Sequence, residues 1–277
     1  MVNFVVLWML ASSLILPSSR ASVLSCVDIP TCNLLTLIHT SETVELLFTS
    51  TGDPHHFAPT GQQVRALLTS ANLFLPPLEL APWAKNLDSK RSPLATKMLK
   101  FSAGQAGPWA EDFAKFGHDL AHYWDYPPLH CAAWTELGGR GSMCPFARQM
   151  QDIEWFHKNP PTKKYLVVIT HEAIGPLLRY MGLPFISLRS SAHGAGVSAQ
   201  ALEQLAQAVN DNKKNGTVPT RLLGIVENEI QLPAPAREQL LATGADILKW
   251  NHLGKKGDDP SKALDVLLIW LKQEIAK

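Results

Sequence analysis

The sequence predicts an α/β protein of two lobes, each a small parallel β-sheet flanked by helices, with a ligand cleft between them. Short apolar, β-branched runs alternate with helix-like stretches in both halves of the chain, which is the pattern of parallel βαβ units. Between the halves, from about Pro127 to Thr162, the texture shifts to Gly, Pro, Cys and Trp and ends on Asn159-Pro160-Pro161, as a connector would. At 277 residues the chain is long enough for two domains of moderate size. Its hydrophobic content of 46% can supply a core, and a net charge of +1 leaves no basic field for nucleic acid.

In chain order, residues 1–21 read as an export signal. Val5 to Leu16 is apolar but too short to cross a hydrocarbon layer of about 30 Å. Ser19 and Ala21 place small residues at the −3 and −1 positions of a cleavage site, although no Lys or Arg precedes the apolar run. Ser25-Cys26 suggests a lipidated cysteine less well, because Arg20 and Ser22 interrupt the approach to it. The chain then divides into an N-terminal lobe over 22–127, a connector over 128–162 and a C-terminal lobe over 163–277.

The first lobe offers strands at Val23–Val27, Thr43–Thr49 and Asn72–Leu75, with helices at Cys32–His39, Gly61–Ser70 and Glu79–Leu87. The second offers strands at Lys164–Thr170, Pro184–Leu188, Arg221–Val226 and Asp246–Trp250. Its helices are expected at Glu172–Met181, Ser198–Asn212, Ala234–Ala242 (stopped by Gly244) and Pro260–Ile275. Four cysteines suit an oxidising compartment and permit local pairing of 26 with 32 and of 131 with 144, which spacing alone does not decide. The spacings are not Cys-x-x-Cys, which argues against a thiolate zinc site.

Open parallel sheets bind ligands beyond the carboxyl ends of their strands. Asp53, His55 and His56 follow strand 43–49, and His171 follows strand 164–170. Glu227 and Glu229 follow strand 221–226, and Asn251 and His252 follow strand 246–250. One histidine after a strand is more often a turn residue than a ligand. Histidine at three of four such places, on both lobes, is the pattern of a tetrahedral metal site.

The stretch Gly52-Asp53-Pro54-His55-His56-Phe57-Ala58-Pro59-Thr60 resembles the first metal-binding loop of the solute-binding proteins of zinc and manganese ABC importers. The resemblance places the first ligand at His55. His122-Tyr123-Trp124-Asp125-Tyr126-Pro127 resembles the second motif and places a ligand at His122, with His118 and His130 as rivals nearby. Thr170-His171-Glu172-Ala173-Ile174-Gly175 resembles the third; histidine there resembles the zinc branch and glutamate would resemble the manganese branch. Val226-Glu227-Asn228-Glu229 also matches a stretch of the family, and the likeness extends over most of 22–277.

Two departures stand out. Where the family carries an Asp ligand this chain reads Asn251-His252-Leu253-Gly254, so His252 or a water completes the shell. The family's long helix between the lobes is interrupted by Gly138, Gly139, Gly141 and Pro145, which implies a looser junction.

The resemblance implies an exported monomer, not an enzyme. It would capture a divalent metal ion, zinc ahead of manganese, through His55, His122, His171 and His252, and deliver it in the periplasm or its extracytoplasmic equivalent to an ABC permease of the inner membrane. Asp53, Asp125 and Glu172 are placed to fix ring tautomers. Binding should weaken as pH falls through about 6.5, where protons compete for imidazole. The alternatives are a three-histidine zinc hydrolase, for which no His-Glu-x-x-His is present, and a divergent family member that no longer imports metal.

Overall fold

The computed structural model describes residues 22–47, 57–87, 90, 96–111, 120–140, 144–161, 165–170, 172–188, 198–214, 221–227, 234–242, 244–251 and 253–276. The candidate signal segment lies outside them.

The first sheet contains β1 (Val23–Cys26), β2 (Thr43–Leu46), β3 (Asn72–Leu75) and β4 (Thr96–Met98) in the spatial order β2-β1-β3-β4, all parallel. The second contains β5 (Tyr165–Ile169), β6 (Phe185–Ser187), β7 (Arg221–Glu227) and β8 (Asp246–Trp250) in the order β6-β5-β7-β8, again all parallel. In each sheet the chain steps from the first strand to one side and then crosses to the other. The reversal leaves a crevice at the carboxyl ends beside β1 and beside β5.

Helix α1 (Ile29–Ile38) starts where its sequence says it should. Asp28 is the cap, its Oδ1 accepts from the Thr31 amide at 2.8 Å, and Pro30 sits in the first turn where a missing N–H costs nothing. Cys26–Cys32 ties the end of β1 to this turn. Helix α2 (Gly61–Thr69) opens on a reciprocal cap: Thr60 Oγ1 accepts from the Gln63 amide, and Gln63 Oε1 accepts from the Thr60 amide. The helix expected over 79–87 is only a 3₁₀ turn at Pro82–Asn86.

The Asp28 carboxyl is held in an unfavourable state. Its Oδ2 is buried with no hydrogen-bond partner. Burial pushes the group up to about 6, against the pull of the Thr31 hydrogen bonds. A carboxyl raised in the fold costs stability once it ionises, so the cost grows as pH climbs from about 4 to about 6. Asparagine caps a helix as well as aspartate does. Asp28→Asn should therefore be about 2 kcal/mol more stable than the parent at pH 7 and level with it near pH 3.5. Denaturant midpoints at the two pH values check this; equal midpoints at pH 7 would show that the carboxyl is well solvated.

The connector is not a loop. It holds α3 (Pro127–Glu136) and α4 (Ala147–Lys158), packed against each other as a hairpin. Glycine does interrupt the helix, and the two pieces are held to each other and to the core. Cys131–Cys144 staples the hairpin, and Phe146 and Phe156 are fully buried in a core shared with both lobes. Gly139 is needed there: a Cβ would lie 2.3 Å from the Trp134 indole, whose Nε1 donates to the Arg140 carbonyl.

In the second lobe, the stretch after β5 is a 3₁₀ turn at Glu172–Ile174 and then α5 (Gly175–Tyr180), rather than one continuous helix. Helices α6 (Ala199–Lys214) and α7 (Ala234–Ala242) complete the crossovers. Helix α8 (Ser261–Ala276) closes the chain against α4. One apolar core runs from Leu24 and Leu34 through Tyr123, Tyr126 and Phe156 to Val167, Leu223 and Leu268. Smaller clusters lie under α2 and under α6. No helix among the described residues is long and apolar enough to cross a membrane.

Candidate metal centre

A 3₁₀ turn at Leu120–Asp125 lies between the two sheets. His122 is 6% exposed, and Tyr123, Trp124 and Asp125 are buried beside it. His122 has φ −83° and ψ 41°, outside the helical well, so the turn bends at this residue. Its ring meets the Trp124 ring edge-on at 5.3 Å.

Two hydrogen bonds and a shared cavity wall show where the turn sits. The Tyr123 hydroxyl shares a 3.0 Å hydrogen bond with the Thr31 hydroxyl, just past the end of β1. The Tyr126 hydroxyl donates to the Ala173 carbonyl, just past β5. Trp124 lines a cavity with Asn251 and Leu253, just past β8. The turn thus meets the carboxyl edges of strands from both sheets, where parallel sheets bind ligands.

The sequence-based ligands stand as follows. His122 lies in this turn. His55, His171 and His252 lie outside the described residues, as do Asp53, His56, His118 and Glu229. Their described neighbours are ordered around the same edges: Thr170 is 2% exposed, Asn251 and Leu253 border the cavity, and Phe57 packs edge-on against Trp83 at 6.1 Å. Among the described residues, no three His, Cys, Asp or Glu side chains gather closely enough to hold a metal.

His130, the rival nearby in sequence, has a different environment. It is 0% exposed and stacked on Phe146 at 3.8 Å. Burial drives the imidazole down to about 3, and the Trp124 backbone opposes this only in part. Neither ring nitrogen makes a hydrogen bond of good geometry. The ring is therefore neutral at any physiological pH.

His130, Pro30, Trp124, Asn251, Asp258 and Asp259 are among the walls of a cavity of about 230 Å³ between the lobes. The Asn251 Oδ1 is buried without a partner. A buried acceptor of that kind is satisfied by a water or a cation. Asn251 is a weaker ligand than aspartate, but its oxygen is not spent on the protein.

Two residues escaped the sequence reasoning. Asp28 directly follows β1, so the strand-end rule that picked out the histidines would have found it. Asn33 is the sole amide in the apolar stretch IPTCNLLTLI and is 1% exposed, a signal visible in the sequence as a polar residue on an inward face.

No protein-family model matches the chain, and no curated protein matches it. Solved structures do. Zn(II)-bound AdcA from Streptococcus pneumoniae aligns at a TM-score of 0.61 and 16% identity over 93% of this chain, which spans 58% of the AdcA chain. ZnuA aligns at 0.64 and 17% over 91% of this chain and 99% of its own. The periplasmic zinc-binding protein TroA from Treponema pallidum aligns at 0.65 and 14% over 93% and 99%. Identities this low establish the fold: two α/β lobes, each with one parallel four-stranded sheet.

Proposed function

We propose that this chain is an exported solute-binding protein that captures a divalent transition metal, zinc ahead of manganese, and hands it to an ABC permease in the inner membrane. The observation that carries the reading is the place of His122. The segment around it is bonded to residues just past β1 and β5 and faces a cavity bordered by residues just past β8, and in the sequence His171 follows β5 while His252 follows β8. A ligand set drawn from both lobes, with His55 from the first, is what a metal-closed cleft requires. The zinc-bound and zinc-binding proteins that share the fold support the cargo. The role is that of a monomeric carrier working outside the cytoplasm, and not that of an enzyme.

Metal uptake by neutral imidazoles fits the buried setting, because it avoids gathering several carboxylates in a poorly hydrated cleft. Titration calorimetry with zinc and with manganese on the metal-stripped mature chain tests the reading. Zinc should bind one to one and more tightly than manganese, and His55→Ala combined with His171→Ala should abolish the heat. Affinity should fall as pH drops through about 6.5. Weak binding of equal strength in parent and double variant would reject the ligand set.

A further inference from the structure

Asn33 lies on α1 in the first lobe, yet both ends of its carboxamide are bonded to the second. Its Nδ2 donates to the Lys255 carbonyl at 3.0 Å, and its Oδ1 accepts from the Gly257 amide at 2.8 Å. The side chain therefore pairs with the β8–α8 loop as a neighbouring backbone would, across 222 and 224 residues of sequence. The amide is 1% exposed, so each bond is sheltered and neither group has water as a substitute.

The loop it grips is already a stiff unit. The Asp258 amide donates to the Lys255 carbonyl at 2.9 Å, and the Lys255 amide donates to Asp258 Oδ2 at 2.8 Å. Gly257 has φ +88°, a conformation glycine adopts without strain, and this brings its N–H to Asn33. The loop is pinned at both ends: the Trp250 indole donates to the Ala263 carbonyl at 2.7 Å, and Asp259 Oδ1 accepts from the Ser261 amide at 3.0 Å. These bonds brace residues 255–261 against one another, and Asn33 ties them to the first lobe. Asn251, whose Oδ1 is unpaired, stands at its start, followed in sequence by His252.

We infer that Asn33 is a positioning residue, a latch that holds the β8–α8 loop against α1 and so governs how long metal stays in the cleft. The inference rests on the metal-capture reading for its functional half, while the latch itself exists without metal. It gives a role to a fully buried amide in a helix that is otherwise mostly apolar. It also links the lobes at the one loop that carries the departure from the family's ligand pattern.

Two variants of the mature chain test it. Asn33→Leu keeps the branched four-atom side chain and removes both bonds, although its methyl groups are bulkier than the carboxamide. Asn33→Asp keeps the acceptor for Gly257 and loses the donor to Lys255. Amide hydrogen exchange on the metal-free protein should quicken over residues 253–258 in Asn33→Leu while β5 and the α3–α4 hairpin stay protected. Zinc release to an excess of chelator should accelerate about tenfold, the loss of one to two net hydrogen bonds, with Asn33→Asp in between. Uniformly faster exchange across both lobes would mean a merely structural role and would overturn the inference. So would unchanged zinc release from a variant whose loop has loosened. If Asn33→Leu does not fold, Asn33→Asp decides by the same two readouts. If the parent takes up no zinc, the capture reading fails, and the exchange measurement by itself decides the latch.

Discussion

Serine at both 131 and 144 should lower the free energy of unfolding by about 3 kcal/mol. The bridge closes 13 residues of sequence, and restricting a loop of that size in the unfolded chain is worth about this much. The loss falls where the lobes are joined. Helices α3 and α4 carry Trp134, Phe146 and Phe156 into the common core, and Gln149 on α4 donates to Asp265 on α8 at 2.6 Å. The Cys26–Cys32 bridge spans 6 residues, so its removal should cost less. Cys26 and Cys32 are 0% exposed, whereas Cys131 and Cys144 retain solvent contact, so a mild reductant should open the connector bridge first. Guanidinium unfolding of the oxidised parent and the two double-serine variants measures this. Coincident curves for the parent and the 131/144 variant would mean that the hairpin holds itself.

The alternation of strands and helices was plain in the sequence because a parallel sheet with helices on its faces demands buried apolar runs. Lys164–Thr170 was expected to be a strand and Tyr165–Ile169 is one; Ala234–Ala242 and Asp246–Trp250 lie where they were expected, separated by Gly244 with φ +69°. What was missed was structure defined by tertiary contact. Strand β4 is three residues, Thr-Lys-Met, with no period to read, and exists because Leu73 to Leu75 offers it a ladder. Helix α3 was hidden by its Pro-Pro start, a turn signal that is equally a first-turn signal. It is also buried around much of its circumference, so it shows no polar stripe to mark it. At the candidate site, the sequence singled out His122, and the structure buries it; its part in holding metal is a proposal. The partners of Asn33 and the stacking of His130 were not legible, because they lie far away in sequence and obey no local pattern.

His130→Leu should flatten the acid side of the stability curve by about 3 kcal/mol between pH 7 and pH 4. The sign follows from the neutral ring. In the fold the imidazole is held down to about 3 by burial, whereas in the unfolded chain it titrates near 6.5. The unfolded chain therefore takes up a proton that the native chain refuses. The stability due to the neutral ring is complete above about 6.5 and is lost progressively as pH falls towards 3. Asp28 acts in the opposite direction, because its raised carboxyl makes the fold more comfortable with protons below about 6. The parent's own curve between pH 7 and pH 4 will therefore look flatter than His130 alone would make it. The difference between parent and His130→Leu removes Asp28, which is present in both. Leucine suits the pocket, where the Phe146 ring centroid lies 3.8 Å from that of the imidazole and neither ring nitrogen makes a hydrogen bond of good geometry. At pH 7 the two proteins should be close in stability, and at pH 4 the variant should be the more stable. Unfolding in chelator keeps metal ligands out of the comparison. Parallel curves for the two proteins across this range would show that water entering the cavity beside His130 already solvates the charged ring in the fold.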